Sequence, residues 1–213
     1  TAKADGHQVR ISIPSKRFRR WWITALILGA AVSSLAQALP SFEGEKLSFS
    51  LSRGEESDLL WEVSGEYYFS NQHQSPLSQA IAFPIPTSQD TDSALITNLS
   101  IIEPTDSMAV KLLTQTDSGI VFLLDLPARS FAGLRLAYSQ KVWGKQAVYI
   151  LSTANNWGRP LPYCQIELFV QRGIELIEPP FPDAQIIQGE EGSVYLWQFV
   201  DFVPEGEFVL MLR

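Results

Sequence analysis

The chain has 213 residues, a formal net charge of −7 and a hydrophobic share of 46%. Residues 1–38 hold six of the 16 basic residues (Lys3, Arg10, Lys16, Arg17, Arg19, Arg20) and one of the 23 acids, Asp5; the rest therefore carries 10 basic and 22 acidic residues, a net charge of −12. So acidic a body argues against nucleic acid, which is bound through clustered Lys and Arg, and against docking of this part on anionic lipid.

The first element in chain order is an export segment. Lys16, Arg17, Arg19 and Arg20 precede a run with no charge from Trp21 to Phe42. A basic start, a short apolar stretch and small residues before Gln37 or Leu39 describe a secretory signal peptide. The run also reaches the roughly 20 residues that a spanning helix needs. Trp21 and Trp22 stand where an interfacial aromatic belt belongs, and Arg19 and Arg20 mark the cytoplasmic side. We expect residues 1–20 to be a basic cytoplasmic segment and 21–40 a retained transmembrane anchor. Residues 41–213 would then be an exported domain on the periplasmic or extracellular side. The alternative is cleavage, leaving the domain soluble in the periplasm or secreted.

Beyond the segment, apolar and polar residues alternate with a period of two, the mark of strands with one buried face. Leu47, Phe49 and Leu51 form one such row. Trp61, Val63, Gly65, Tyr67 and Phe69 form a second, Leu134, Leu136 and Tyr138 a third, and Cys164, Ile166, Leu168 and Val170 a fourth. The continuous run Ile120 to Leu124 predicts a strand covered on both sides. Val194 to Val203 and Phe208 to Leu212 predict the last two strands, separated by a turn at Pro204 to Glu207. Glu190-Glu191-Gly192 predicts a hairpin turn after a strand at 185–188. The cluster Pro179-Pro180-Phe181-Pro182 reads as a long loop, because the roughly 30 residues after it are too few for a domain. The expected fold is all-β: an antiparallel β-sandwich, Ig-like or enlarged, preceded by one N-terminal hydrophobic helix.

Four segments carry a likeness. Glu66 to Asn71 followed by Ala82-Phe83-Pro84-Ile85-Pro86, the stretch Tyr149 to Leu161 with Asn155-Asn156-Trp157-Gly158-Arg159-Pro160, and the closing Trp197-Gln198-Phe199 to Leu212 resemble, in this order, segments of a family of exported bacterial proteins with no assigned function. The resemblance implies an exported, β-rich envelope protein and supplies no catalytic residues.

The side chains themselves name no chemistry. His7 precedes the anchor, so His73 is the one histidine of the exported part, and it sits in a polar hairpin loop, Asn71 to Ser75. Zinc and copper sites draw on several His or Cys ligands. Cys164, the sole cysteine, shares a strand face with Ile166 and Leu168 and reads as a buried small hydrophobe, with an intermolecular disulfide as the alternative. Asp90 and Asp92 form a fragment of a calcium loop, but Leu95 and Ile101 occupy the positions where an EF-hand needs Gly and Glu. We assign no catalytic residue, cofactor or metal, and expect the domain not to be an enzyme. A hydrolase working through carboxylates that the sequence does not single out is the remaining alternative.

The candidate contact site is the loop of Asn155, Asn156, Trp157 and Arg159, which offers an aromatic and a guanidinium to a partner. The competing reading folds Trp157 back as a lid on the sandwich edge and places Asn155 and Asn156 in left-handed turn positions. Trp143, just before Gly144, reads as packing. The expected role is a membrane-tethered accessory subunit that holds the membrane through its N-terminal helix and contacts other subunits of a membrane complex. A soluble module binding a carbohydrate or a peptide is the second reading.

Overall fold

The computed structural model describes residues 39–54, 58–87, 91, 93–102 and 108–213. Residues 21–38 of the expected anchor, with Trp21 and Trp22, and its basic flank with Arg19 and Arg20 lie outside the described residues, as do Asp90 and Asp92. No helix among the described residues is long and apolar enough to cross a membrane.

The described chain is nearly all β. In order it forms β1 (Ser41–Arg53), β2 (Leu59–Asn71), β3 (Leu77–Pro84), β4 (Leu95–Ile101), β5 (Ala109–Thr116), β6 (Gly119–Leu126), β7 (Ser130–Val142) and β8 (Gln146–Tyr149). A 3-10 turn, Ser152–Trp157, leads to β9 (Leu161–Gln171), β10 (Gln185–Gln188), β11 (Gly192–Phe202) and β12 (Phe208–Met211). Seven strands make one sheet in the order β10-β11-β9-β1-β2-β7-β4; β3-β6-β5 and β12-β8 make two small sheets.

The alternating rows all fall on one face of the large sheet. Leu47, Phe49, Leu51, Trp61, Val63, Leu134, Leu136, Cys164, Ile166 and Leu168 are each at most 2% exposed. The small sheets cover that face. Phe83 of β3 meets Tyr67 and Tyr138, while Phe208 of β12 stacks on Phe49 at 4.6 Å between ring centres. All of these residues belong to one hydrophobic core.

Three expectations change. The large sheet is not wholly antiparallel: β1 and β9 run parallel, with Glu45 opposite Cys164 and Leu51 opposite Val170. A parallel pair needs a long connection, and everything from β2 to the 3-10 turn supplies it. Second, the run Ile120 to Leu124 is buried on one side only. Ile120, Phe122 and Leu124 face the core, while Val121 and Leu123 stay half-exposed on the outer side of a three-stranded sheet that nothing described covers. The last two strands stand where expected, and β12 crosses to pair with β8. Third, no asparagine takes a left-handed turn position in the loop after β8. Residues 152–157 wind into the 3-10 turn, and Gly158, with φ 71°, ends it; a residue without Cβ takes that conformation at the least cost. The hairpin turn expected at Glu190-Glu191-Gly192 joins β10 to β11, with Gly192 already the first residue of β11.

Candidate functional site

One irregularity positions the most unusual side chain. The pairing of β1 with β2 slips between Phe42 and Gly44. Gly44 has φ 153°, and a Cβ there would stand 2.5 Å from the Tyr163 carbonyl oxygen. A bulge adds one residue and shifts the alternation. Phe42 and Glu45 therefore both point inward, and Glu45 joins the row of Leu47, Phe49 and Leu51.

Glu45 is 3% exposed. Its register partners are Tyr67 on β2 and Cys164 on β9. The Cys164 thiol donates to Glu45 Oε1 at 3.6 Å. Above the same patch the hydroxyls of Tyr67 and Tyr149 lie 2.9 Å apart in a hydrogen bond between the large sheet and β8. Gly65 makes room for this bond, since a Cβ there would run into the Tyr67 hydroxyl and ring. The Tyr138 hydroxyl, on β7, is buried without a hydrogen-bond partner.

Burial governs the proton affinities. It pushes the Glu45 carboxyl up to about 7, against the pull of the Cys164 hydrogen bond. It also raises Tyr67 and Tyr149 well above the ordinary phenol range, with the neighbouring acid adding to the effect. The Cys164 thiol rises by burial and by facing Glu45. An uncharged thiol is a poor nucleophile. Phe42, Phe49 and Tyr149 of the surrounding core are 4% exposed or less, so the cluster holds a proton out of reach of solvent.

The opposite face of the large sheet is open and polar. One row runs through six strands by register: Gln198, Gln165, Lys46, Glu66, Arg135 and Ser100. Glu66 accepts from Arg135 at 2.6 Å and from the Tyr68 hydroxyl at 2.7 Å, and these two bonds, Arg135 first, hold its carboxyl below the usual range. The Tyr68 ring stacks on Phe131 at 5.8 Å, and Phe131 is 54% exposed. The Lys46 ammonium lies 5.7 Å from the Tyr68 ring centre.

The loop singled out in the sequence is tied to the domain at three of its four residues. Trp157 packs on Phe42 and Phe69, with ring centres at 5.4 and 5.6 Å. Asn155 Nδ2 donates to the Pro204 carbonyl, and Arg159 donates to the Phe42 carbonyl and to Glu43. Asn156 is exposed. His73 is exposed in its turn, where its backbone N–H donates to Asn71 Oδ1. Trp143, expected to pack, is 51% exposed just past the end of β7 at Val142, with the Lys141 ammonium 5.5 Å from its ring centre. Among the described residues no three His, Cys, Asp or Glu side chains converge in a metal-binding group.

Sequence reasoning passed over Glu45. The signal was available: the row Leu51, Phe49, Leu47 continued one step back lands on an acid. Cys164 is buried as expected, but it is the partner of that acid and not a bystander in an apolar layer.

No family model matches the chain, and no curated protein does. Solved structures align with it. A Legionella pneumophila protein proposed to bind nutrients aligns with a TM-score of 0.59 at 14% identity, covering 83% of this chain and 67% of that one. An M1 zinc metallopeptidase from Deinococcus radiodurans aligns with a TM-score of 0.42 at 10% identity, covering 81% of this chain and 42% of that one. The chain thus spans about two thirds of the first protein and under half of the second. The first likeness defines a fold common to the two chains.

Proposed function

We propose that the chain is a non-catalytic interaction module, a β-sandwich held at the outer face of a membrane by its N-terminal helix, serving as an accessory subunit. One contrast carries this reading. The groups with strongly raised proton affinities, Glu45, Cys164, Tyr67, Tyr138 and Tyr149, are sealed in the core, whereas the open sheet face presents an ordered row of charges and amides beside an exposed aromatic pair. Enzymes place perturbed groups where substrate can reach them. Here such groups support packing, and the reachable surface has the composition of a contact face, with aromatic and Arg side chains.

The tether follows from the uncharged run of residues 21–42 and its basic flank. Native intact mass and membrane fractionation of the full chain test it. Retention of residues 1–38 in the membrane fraction, with other membrane proteins co-purifying in mild detergent, is the expected result. A mature chain beginning at Gln37 or Leu39 in the soluble fraction would overturn the tether. The Tyr68–Phe131 stack favours a second reading, a soluble carbohydrate- or peptide-binding module, since exposed planar rings suit sugars and apolar side chains alike.

A further inference from the structure

We propose that residues 197–200 of β11 take up an extended peptide of alternating basic and apolar residues as an added strand. The inference rests on the reading of the domain as an interaction module and names the chemistry of one partner.

β10 covers only part of β11. Its four residues pair with 193–196, Gln185 lying opposite Leu196. A straight continuation of β10 backwards would lay residues 181–184 against 197–200. The sequence prevents this. Pro179, Pro180 and Pro182 have no N–H to give to a ladder, and Asp183, with φ 58°, turns the chain away. Phe181 is fixed beneath the sheet edge: its carbonyl accepts from Trp197 Nε1 at 3.3 Å, and its ring meets Trp197 and Phe199 edge-on. Among the described residues, no strand pairs with 197–202 on the side away from β9.

A cleft of about 430 Å³ lies between the diverted segment and β11. That volume falls in the range of about 300–1,000 Å³ typical of ligand sites. Phe181, Pro182 and Phe199 give it an apolar wall, and Gln165, Gln198 and Asp183 give it polar groups. Val200, on the same stretch of strand, is 76% exposed. An edge left open in this way invites strand addition, in which backbone bonds give affinity and pockets for alternate side chains give specificity.

Charge selects the occupant. No Lys or Arg lines the cleft. Asp183 lines it and Asp201 stands further along β11, both exposed, and residues 39–213 carry a net charge of −12. A strand with apolar residues for the Phe181–Phe199 wall and lysines or arginines between them is complementary on both counts.

The probe is a fluorescein-labelled, eight-residue peptide of alternating lysine and valine, titrated against the full chain in mild detergent. Expected are saturable binding, slowed hydrogen exchange confined to residues 197–200, and affinity reduced about tenfold in the Asp183→Asn/Asp201→Asn chain. Asparagine tolerates the positive φ at both positions, so that variant keeps its backbone. Methylating alternate backbone nitrogens of the peptide abolishes binding, because the ladder bonds are lost. The proposal is overturned by any of four results: no binding at millimolar peptide, exchange protection on another surface, equal binding of the methylated peptide, or protection of 197–200 that grows with chain concentration alone, which assigns the edge to a second copy. If membrane proteins still co-purify with the full chain while the peptide does not bind, strand addition fails and the interaction-module reading stands.

Discussion

The Cys164 thiol and the Glu45 carboxyl face each other across the parallel pair of β1 and β9, 119 residues apart in the chain and 3.6 Å apart in space. With the acid uncharged this contact is one weak hydrogen bond. With the acid ionised it becomes a buried charge with no cation beside it, and buried charges without partners are costly.

That relationship fixes the direction of a pH effect. The folded chain holds the Glu45 proton up to about pH 7, and the unfolded chain releases it near 4.5. Between those values the folded state binds more protons, so stability is fully present below about 4.5 and is lost as pH rises through about 7. The loss is about 3 kcal/mol at the usual 1.36 kcal/mol per unit of pKa difference. Urea midpoints measured from pH 4.5 to 8 should fall with rising pH in the native chain. They should change less in the Glu45→Gln chain, which has no such proton to release.

Tyr67 and Tyr149 satisfy each other between two sheets. Tyr67→Phe leaves the Tyr149 hydroxyl buried and alone, at a cost of about 1–3 kcal/mol, whereas removing both hydroxyls is nearly neutral. A double-mutant cycle by chemical denaturation should give a favourable coupling of about 2 kcal/mol or more, because each single loss is costly and the double loss is nearly neutral. Zero coupling would mean that the 2.9 Å contact contributes nothing to stability.

Gly65 is held to its identity by the same bond. Alanine in a strand ordinarily improves on glycine, yet at this position its methyl meets the Tyr67 ring. Overpacking of this kind costs about 1–3 kcal/mol. Gly65→Ala should lower the melting temperature and shift the near-ultraviolet tyrosine signal; a rise in melting temperature would show that the ring moves aside freely.

The thiol should be silent in the folded state. Cys164 is fully buried and its proton affinity is raised by burial and by Glu45. Labelling with a thiol reagent should proceed no faster than global unfolding and should accelerate in step with added urea. Fast labelling in buffer would place the thiol within reach of solvent.

Trp157 gives a test of the loop that joins β8 to β9. Its ring packs on Phe42 and Phe69, so Trp157→Ala should cost about 1–2 kcal/mol from lost apolar burial. Asn156→Ala, at an exposed position, should leave stability unchanged. A partner that binds through this loop would be weakened by both changes, and pull-down with the two variants separates contact from packing.

Much of the architecture is legible in the alternation of residues. Trp61 to Phe69, Leu134 to Tyr138 and Cys164 to Val170 each name the buried face of their strand, because a sheet covered on one side imposes a period of two on its sequence. The pairing of β1 with β9 is not legible: partner choice depends on contacts made far along the chain, and parallel and antiparallel neighbours have the same alternation. Glu45 is legible only when β1 is read backward from Leu51. A bulge at Gly44 resets the parity, and reading forward from Phe42 would put the acid on the wet side. The Ile120 to Leu124 run misled because Val121 and Leu123 are apolar on a face left half-exposed.

β1 occupies the middle of the large sheet, between β2 and a strand that begins only at Leu161. Its second flank therefore stays open until three quarters of the polypeptide exists. Any chain halted or cut before Leu161 presents an apolar strand edge with nothing to close it, and such edges recruit other chains. Completion of this domain is thus a late, single event that depends on its C-terminal quarter. A truncated product should be found in aggregates or removed by proteases rather than accumulating as a smaller folded form.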